Sequence, residues 1–207
     1  MKYNKKITAM LISMSLSSIS FSANALQTGD LFARGTITNV NPNDDSTAFT
    51  NGAFPNVEDN TTLGITLVYM LSNNIGLEVL ASLPFEHDIT VAGLGTVGSA
   101  KQLPPTVSIQ YYFNSSEKFR PFVGFGANYT IFFSEETIPL LGGDLSLDNS
   151  FGFAVQAGID YDINERWLLT ADIRYISIET TAKINAIGSS NVDINPTVMS
   201  IGIGYKF

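Results

Sequence analysis

The chain of 207 residues has no cysteine, one histidine and one tryptophan. Without cysteine there is no disulfide framework, no thiolate nucleophile and no thiolate metal site. Charged residues make up only 14% of the sequence, which is low for a globule wetted on all sides. The formal charge is −8 and no basic patch exists to meet phosphates, so a nucleic-acid partner is excluded. After residue 25 no run of about 18 apolar residues occurs, so there is no transmembrane helix.

The N-terminus has the layout of a secretory signal peptide. Lys2, Lys5 and Lys6 form a positive start, Ile7 to Phe21 is apolar and Ser-rich, and Ala23-Asn24-Ala25 is a small-residue cleavage site. This divides the chain into a signal peptide, 1–25, and one domain, 26–207. An exported chain without a membrane helix is periplasmic, secreted or an outer-membrane barrel.

Period-2 alternation dominates the rest and predicts strands with two unlike faces. At the C-terminus Thr197, Met199, Ile201, Ile203, Tyr205 and Phe207 share one face, against Val198, Ser200, Gly202, Gly204 and Lys206. Eight such segments are predicted, near 29–38, 61–71, 75–83, 103–113, 118–132, 150–161, 166–178 and 193–207. Short polar turns (Ser72-Asn73-Asn74, Asn114 to Glu117, Asp162 to Glu165) alternate with long loops at 39–60, 84–102, 133–149 and 179–192. That pattern predicts an all-β fold, an eight-stranded antiparallel transmembrane β-barrel, with both termini on the short-turn, periplasmic side.

Aromatic residues gather at the strand ends. Tyr69, Tyr111, Phe113, Phe119, Tyr161, Trp167, Tyr205 and Phe207 lie near the short turns, and Tyr129, Phe133, Phe151 and Tyr175 near the long loops. Two such belts are the girdles of a membrane barrel. A soluble β-sandwich or lipocalin-like barrel would carry many Lys and Glu on its second face, where this chain has Gly, Ser, Thr and Ala.

Small barrels are usually filled by side chains, so the lining decides between plug and channel. Taking the less apolar face of each strand as inward places Leu80, Phe132, Ala154, Ile176, Ile178, Ile194 and Val198 in the outer half of the lumen, as a channel lining. Arg34, Glu78, Arg120, Asp160, Asp172 and Arg174 form a charge cluster below it, with Gln110, Tyr112, Gln156 and Lys206 alongside. Charges in a narrow lumen must pair, and a paired cluster closes the inner half. An apolar solute then needs a sideways route. Proline has no N–H to donate to a ladder, so Pro104 and Pro105, opening strand four, are the expected lateral exit, ahead of Pro196 in strand eight.

His87, between Glu86 and Asp88, has no second histidine to join it. It is expected to be a solvated loop residue. No inward serine has a base partner, so neither a catalytic nor a metal site is predicted, and no cofactor. Asp44, Asp45, Glu58, Asp59, Glu135, Glu136, Asp144 and Asp148 solvate the loops or bind divalent cations at the lipopolysaccharide surface.

Several stretches resemble the OmpW family of small outer-membrane proteins. They are Asn60 to Thr66 with Asn74 to Glu78, Leu103-Pro104-Pro105-Thr106 running into Gln110 to Phe113, Lys118-Phe119-Arg120-Pro121 on to Thr130, Gly158 to Tyr161, and the terminal Gly202 to Phe207. The resemblance implies an eight-stranded outer-membrane barrel with a narrow hydrophobic channel. It implies small hydrophobic solutes as cargo, lipid and lipopolysaccharide as surroundings, and phage or bacteriocins as partners at the loops. The competing reading is a surface receptor or adhesin displaying long loops on a filled barrel.

Overall fold

The computed structural model describes residues 25–43, 48, 55–91, 95–113, 117–137, 145–184 and 188–207. The expected signal peptide lies outside them but for Ala25. The described residues form fourteen strands and no helix: β1 (Leu31–Asn41), β2 (Pro55–Val57), β3 (Asn60–Met70), β4 (Ile75–Ser82), β5 (Phe85–Val91), β6 (Gly95–Leu103), β7 (Thr106–Tyr112), β8 (Phe119–Thr137), β9 (Leu145–Leu147), β10 (Ser150–Asp162), β11 (Trp167–Ile176), β12 (Glu179–Ile184), β13 (Gly188–Asp193) and β14 (Thr197–Lys206).

Eight of these close a ring. Each of β1, β3, β4, β7, β8, β10, β11 and β14 pairs antiparallel with the next, and β14 pairs back to β1. Closure leaves no free sheet edge, the condition for a strand-built membrane span.

Alternation sets which way each residue points. In β7, Thr106, Ser108, Gln110 and Tyr112 are buried while Val107, Ile109 and Tyr111 are exposed. The exposed side is an apolar band around the wall, with Ile37, Ile65, Val79, Phe125, Ile173 and Ile201 among its members. Such a band is stable only against lipid. At the short-turn end Trp167, Tyr205 and Phe207 stack edge to face in sequence, with centroids 5.0 and 5.2 Å apart.

The long connections are built differently from the loops expected. β8 runs past the ring, pairing with β7 and β10 below and with β6 above, from Leu103↔Ile131 to Gly98↔Thr137. With β5 and β2 this makes one extension of the wall, and β9, β12 and β13 form a separate three-stranded sheet. Phe85 and Ile89 of the first extension pack in one buried cluster with Leu145, Ala182 and Val192 of the second.

Two proline placements are corrected. Pro104 and Pro105 stand between β6 and β7, and Pro196 just before β14. None of the three lies within a strand.

Candidate functional site

The lumen is layered. At the short-turn end Leu26, Phe32, Val68, Met70, Tyr112, Phe122 and Leu168 form a buried apolar plug. The expectation of a wholly charged and polar inner half is therefore corrected. Taking the less apolar face as inward hides an apolar layer that shares parity with Arg34 and Thr66. Gly158 makes room for the plug: a Cβ there would lie 2.4 Å from the Phe122 ring.

Above the plug lies the charge cluster, held by five strands. Glu78 of β4 accepts from Arg34 Nη1 of β1 at 3.2 Å and from Gln110 Nε2 of β7. It also accepts from Gln156 Nε2 of β10 at 2.9 Å and from Arg174 Nη2 of β11 at 3.0 Å. Arg34 Nη2 also reaches Asp160 at 2.7 Å and the Tyr112 hydroxyl at 2.6 Å, and Arg174 lies 3.7 Å from Asp172. The Arg34 guanidinium sits 4.8 Å from the Phe122 ring centroid, a cation–π contact that ties cluster to plug. Gly124 gives Gln156 its space, since a Cβ would meet its Nε2 at 2.6 Å.

Arg120 is the exception. It forms a bidentate pair with Asp162, which Lys206 joins at 2.7 Å. This is a second ion cluster, apart from Glu78. The sequence reading placed Asp162 in a turn, although the inward parity of Asp160 carries on to it.

Above the charge cluster lies a second group of apolar side chains. Phe132, Ala154, Ile176, Ile178, Ile194 and Val198 belong to one buried cluster with Val40, Phe85 and Val192. Two adjoining cavities run through it, of about 30 and 20 Å³, so an alkyl chain enters only when their walls move apart. The upper one is bounded by His87, Ile89, Gln102, Phe132, Ala182 and Val192, among others. The lower one is bounded by Leu80, Ser82, Phe85, Gln102, Pro104 and Val198, among others. Among the described residues no charged side chain borders either.

His87 is buried, not solvated. Its ring stacks on Phe85, Nδ1 lies 2.6 Å from the Glu58 carbonyl, and Nε2 lies 2.9 Å from Gln102 Nε2. Burial lowers its pKa below the ordinary value of 6.5, against smaller raising effects of the Glu58 carbonyl and Asp59. No His/Cys/Asp/Glu group that could hold a metal ion occurs among the described residues.

Beside the lower cavity the wall has a seam. The β4–β7 ladder ends at Leu80↔Thr106, and pairing resumes only at Phe85↔Gln102 of β5 and β6. Between them 81–84 face 103–105, and this stretch holds Pro84, Pro104 and Pro105. On its other side the same segment is held, since Pro105 O accepts from Tyr129 N at 3.1 Å and from Asn128 Nδ2 at 3.2 Å. The sequence reading named Pro104 and Pro105 but gave no part to Pro84, Ser82 or Gln102.

Comparison with known proteins gives the family and the barrel fold. The OmpW family model matches residues 27–207. Outer membrane protein W of Vibrio cholerae is 46% identical over 88% of this chain and 91% of its own length. Outer membrane protein W of Escherichia coli is 38% identical over 98% of this chain and 100% of its own. The crystal structure of the outer membrane protein OprG from Pseudomonas aeruginosa superposes with a TM-score of 0.84 at 35% identity, covering 90% of this chain and 99% of that one.

Proposed function

The chain belongs to the OmpW family of the outer membrane, and from that footing we propose that it passes small hydrophobic molecules through its apolar outer lumen and releases them sideways into the bilayer. The observation that carries this reading is the junction of cavity and seam. The lower cavity is apolar, and Pro104 forms part of its wall. Straight passage is opposed by the charge cluster and the plug beneath it, because an apolar solute gains nothing there and would have to part buried ion pairs. The seam offers a way out where no ladder hydrogen bonds need breaking. Burying each CH₂ contributes about 0.8 kcal/mol, so a short chain gains several kcal/mol before ordering costs.

The experiment is uptake of a labelled hydrophobic solute by cells carrying the wild-type barrel, Ile176→Asp or Val198→Asp. Both side chains are buried in the outer lumen, so each variant puts an unpaired charge in the path. Uptake is expected to fall to the level of cells without the protein. Normal uptake through a folded variant contradicts the reading. A second reading makes the strand-built extensions β9, β12 and β13 a receptor surface for a phage or bacteriocin. Charge reversal at Glu179 and Lys183, exposed on β12, separates the two: a receptor loses binding, and a channel keeps uptake.

A further inference from the structure

Among the described residues five polar side chains border the two cavities: Thr38, Ser82, His87, Gln102 and Thr180. Three are satisfied. Thr38 Oγ1 bonds Thr36 and Ser200, Thr180 Oγ1 donates to the Asp148 carbonyl at 2.6 Å, and both His87 nitrogens are partnered. The other two each keep a buried oxygen with no partner among the described residues: Ser82 Oγ and Gln102 Oε1. Gln102 is 1% exposed. A buried carbonyl without a donor is costly, and here two such oxygens border the same lower cavity.

The orientation of the Gln102 amide follows from its neighbour. His87 Nδ1 faces a carbonyl and must carry the proton. Burial favours the neutral ring, so Nε2 is an acceptor and receives a hydrogen bond from the Gln102 NH₂. The Gln102 carbonyl Oε1 then has no donor among the described residues. It requires a donor, while the Ser82 hydroxyl can donate or accept.

We propose that the outer lumen is a site for neutral aliphatic alcohols, whose hydroxyl donates to Gln102 Oε1 and accepts from Ser82 Oγ while the alkyl chain lies among Val40, Phe85, Ile178 and Val198. This rests on the reading of the lumen as a path for hydrophobic molecules and narrows the cargo. Alkanes, ethers and ketones leave the carbonyl unpaired. Carboxylates and ammonium ions would enter a cavity with no opposite charge on its wall. A site built to bond a hydroxyl rejects an analogue that lacks the donor far more strongly than an apolar pocket rejects an added hydroxyl.

The test uses the full-length barrel in phospholipid nanodiscs. n-Octanol and heptyl methyl ether have the same heavy-atom chain length, but only the alcohol donates. Each is titrated while chemical shifts of the upper-lumen residues are followed, and affinity is referred to the ligand's own concentration in the bilayer. The expected result is saturable binding with the alcohol about tenfold tighter, the size of one buried group satisfied. In Gln102→Met the two affinities should converge, the alcohol losing and the ether gaining. Ser82→Ala leaves the Gln102–His87 bond in place and should reduce the preference in part. Saturable binding of both ligands at equal affinity to the wild type overturns the alcohol site but leaves the apolar path standing. A preference that survives in Gln102→Met also overturns it. No saturable binding of either ligand overturns the site and the path together.

Discussion

Arg34 of β1 and Asp160 of β10 stand three strands apart around the wall and meet inside the barrel at 2.7 Å. Their contact, with Glu78 bridging Arg34 to Arg174, bars the lumen at the level of the cluster. A bar of this kind also braces the wall, since Glu78 ties its own strand to four others through side chains.

Glu78→Ala should therefore be among the most damaging single changes. It leaves two buried guanidinium groups and two amides without their shared acceptor. Removing one partner of a buried ion pair costs about 3–5 kcal/mol. Urea unfolding in detergent should show that loss in full, with Glu78→Gln intermediate because it keeps an acceptor. A midpoint unchanged in Glu78→Ala would mean that the network does not bear on the fold.

Topology is open to a labelling test, made simple by the lack of cysteine. Asn73 in a short turn is exposed, and Thr181 in β12 is half-buried on the strand face that also carries exposed Glu179 and Lys183. In intact cells a membrane-impermeant thiol reagent should label Thr181→Cys and spare Asn73→Cys. The opposite pattern would invert the barrel.

Acid should loosen the extension around His87. Its pKa is lowered in the fold, so between that value and 6.5 the unfolded chain binds the proton that the folded one refuses. The stability this ring contributes is whole above 6.5 and is lost as pH falls through the lowered value. The charges nearby are Glu58 and Asp59 before β3, Glu86 and Asp88 on β5, and Lys101 on β6, which pairs with Glu86 at 3.6 Å. Hydrogen exchange of β5 and β6 amides, corrected for intrinsic rates, should be level from about pH 7 upward and lose protection below about pH 6. In His87→Gln the step should disappear. A step of the same size in that variant would assign it to the carboxylates.

The eight barrel strands were legible because their outer face is apolar over the whole span, so a one-residue slip would bury or expose every side chain wrongly. The six extra strands were less so. β5 alternates Phe85, His87 and Ile89 inward against Glu86 and Asp88 outward, but a histidine at its centre reads as polar until Gln102, fifteen residues on, is seen to satisfy it. The ion clusters were legible in membership and only partly in pairing. Arg120 faces Asp160 across the β8–β10 ladder, yet bonds Asp162, because reach along the strand is set by rotamer and space. The prolines were conspicuous as missing donors. Their facing partner Pro84 was not, because only the folded register sets 81–84 against 103–105.

The rate of uptake through Pro104→Val/Pro105→Val distinguishes sideways release beside β7 from any other exit. Valine at 104 restores the N–H donor that points toward 81–84, valine at 105 restores one on the β8 side, where Pro105 O already accepts from Tyr129 N, and both favour a continuous strand. If one new ladder hydrogen bond forms across the seam at about 1 kcal/mol, opening the seam becomes about fivefold harder. Uptake of a hydrophobic solute should slow by about that factor, while its affinity for the outer lumen of the purified barrel stays near the wild-type value. Uptake at the wild-type rate by a folded double variant would contradict an exit beside Pro104 and Pro105.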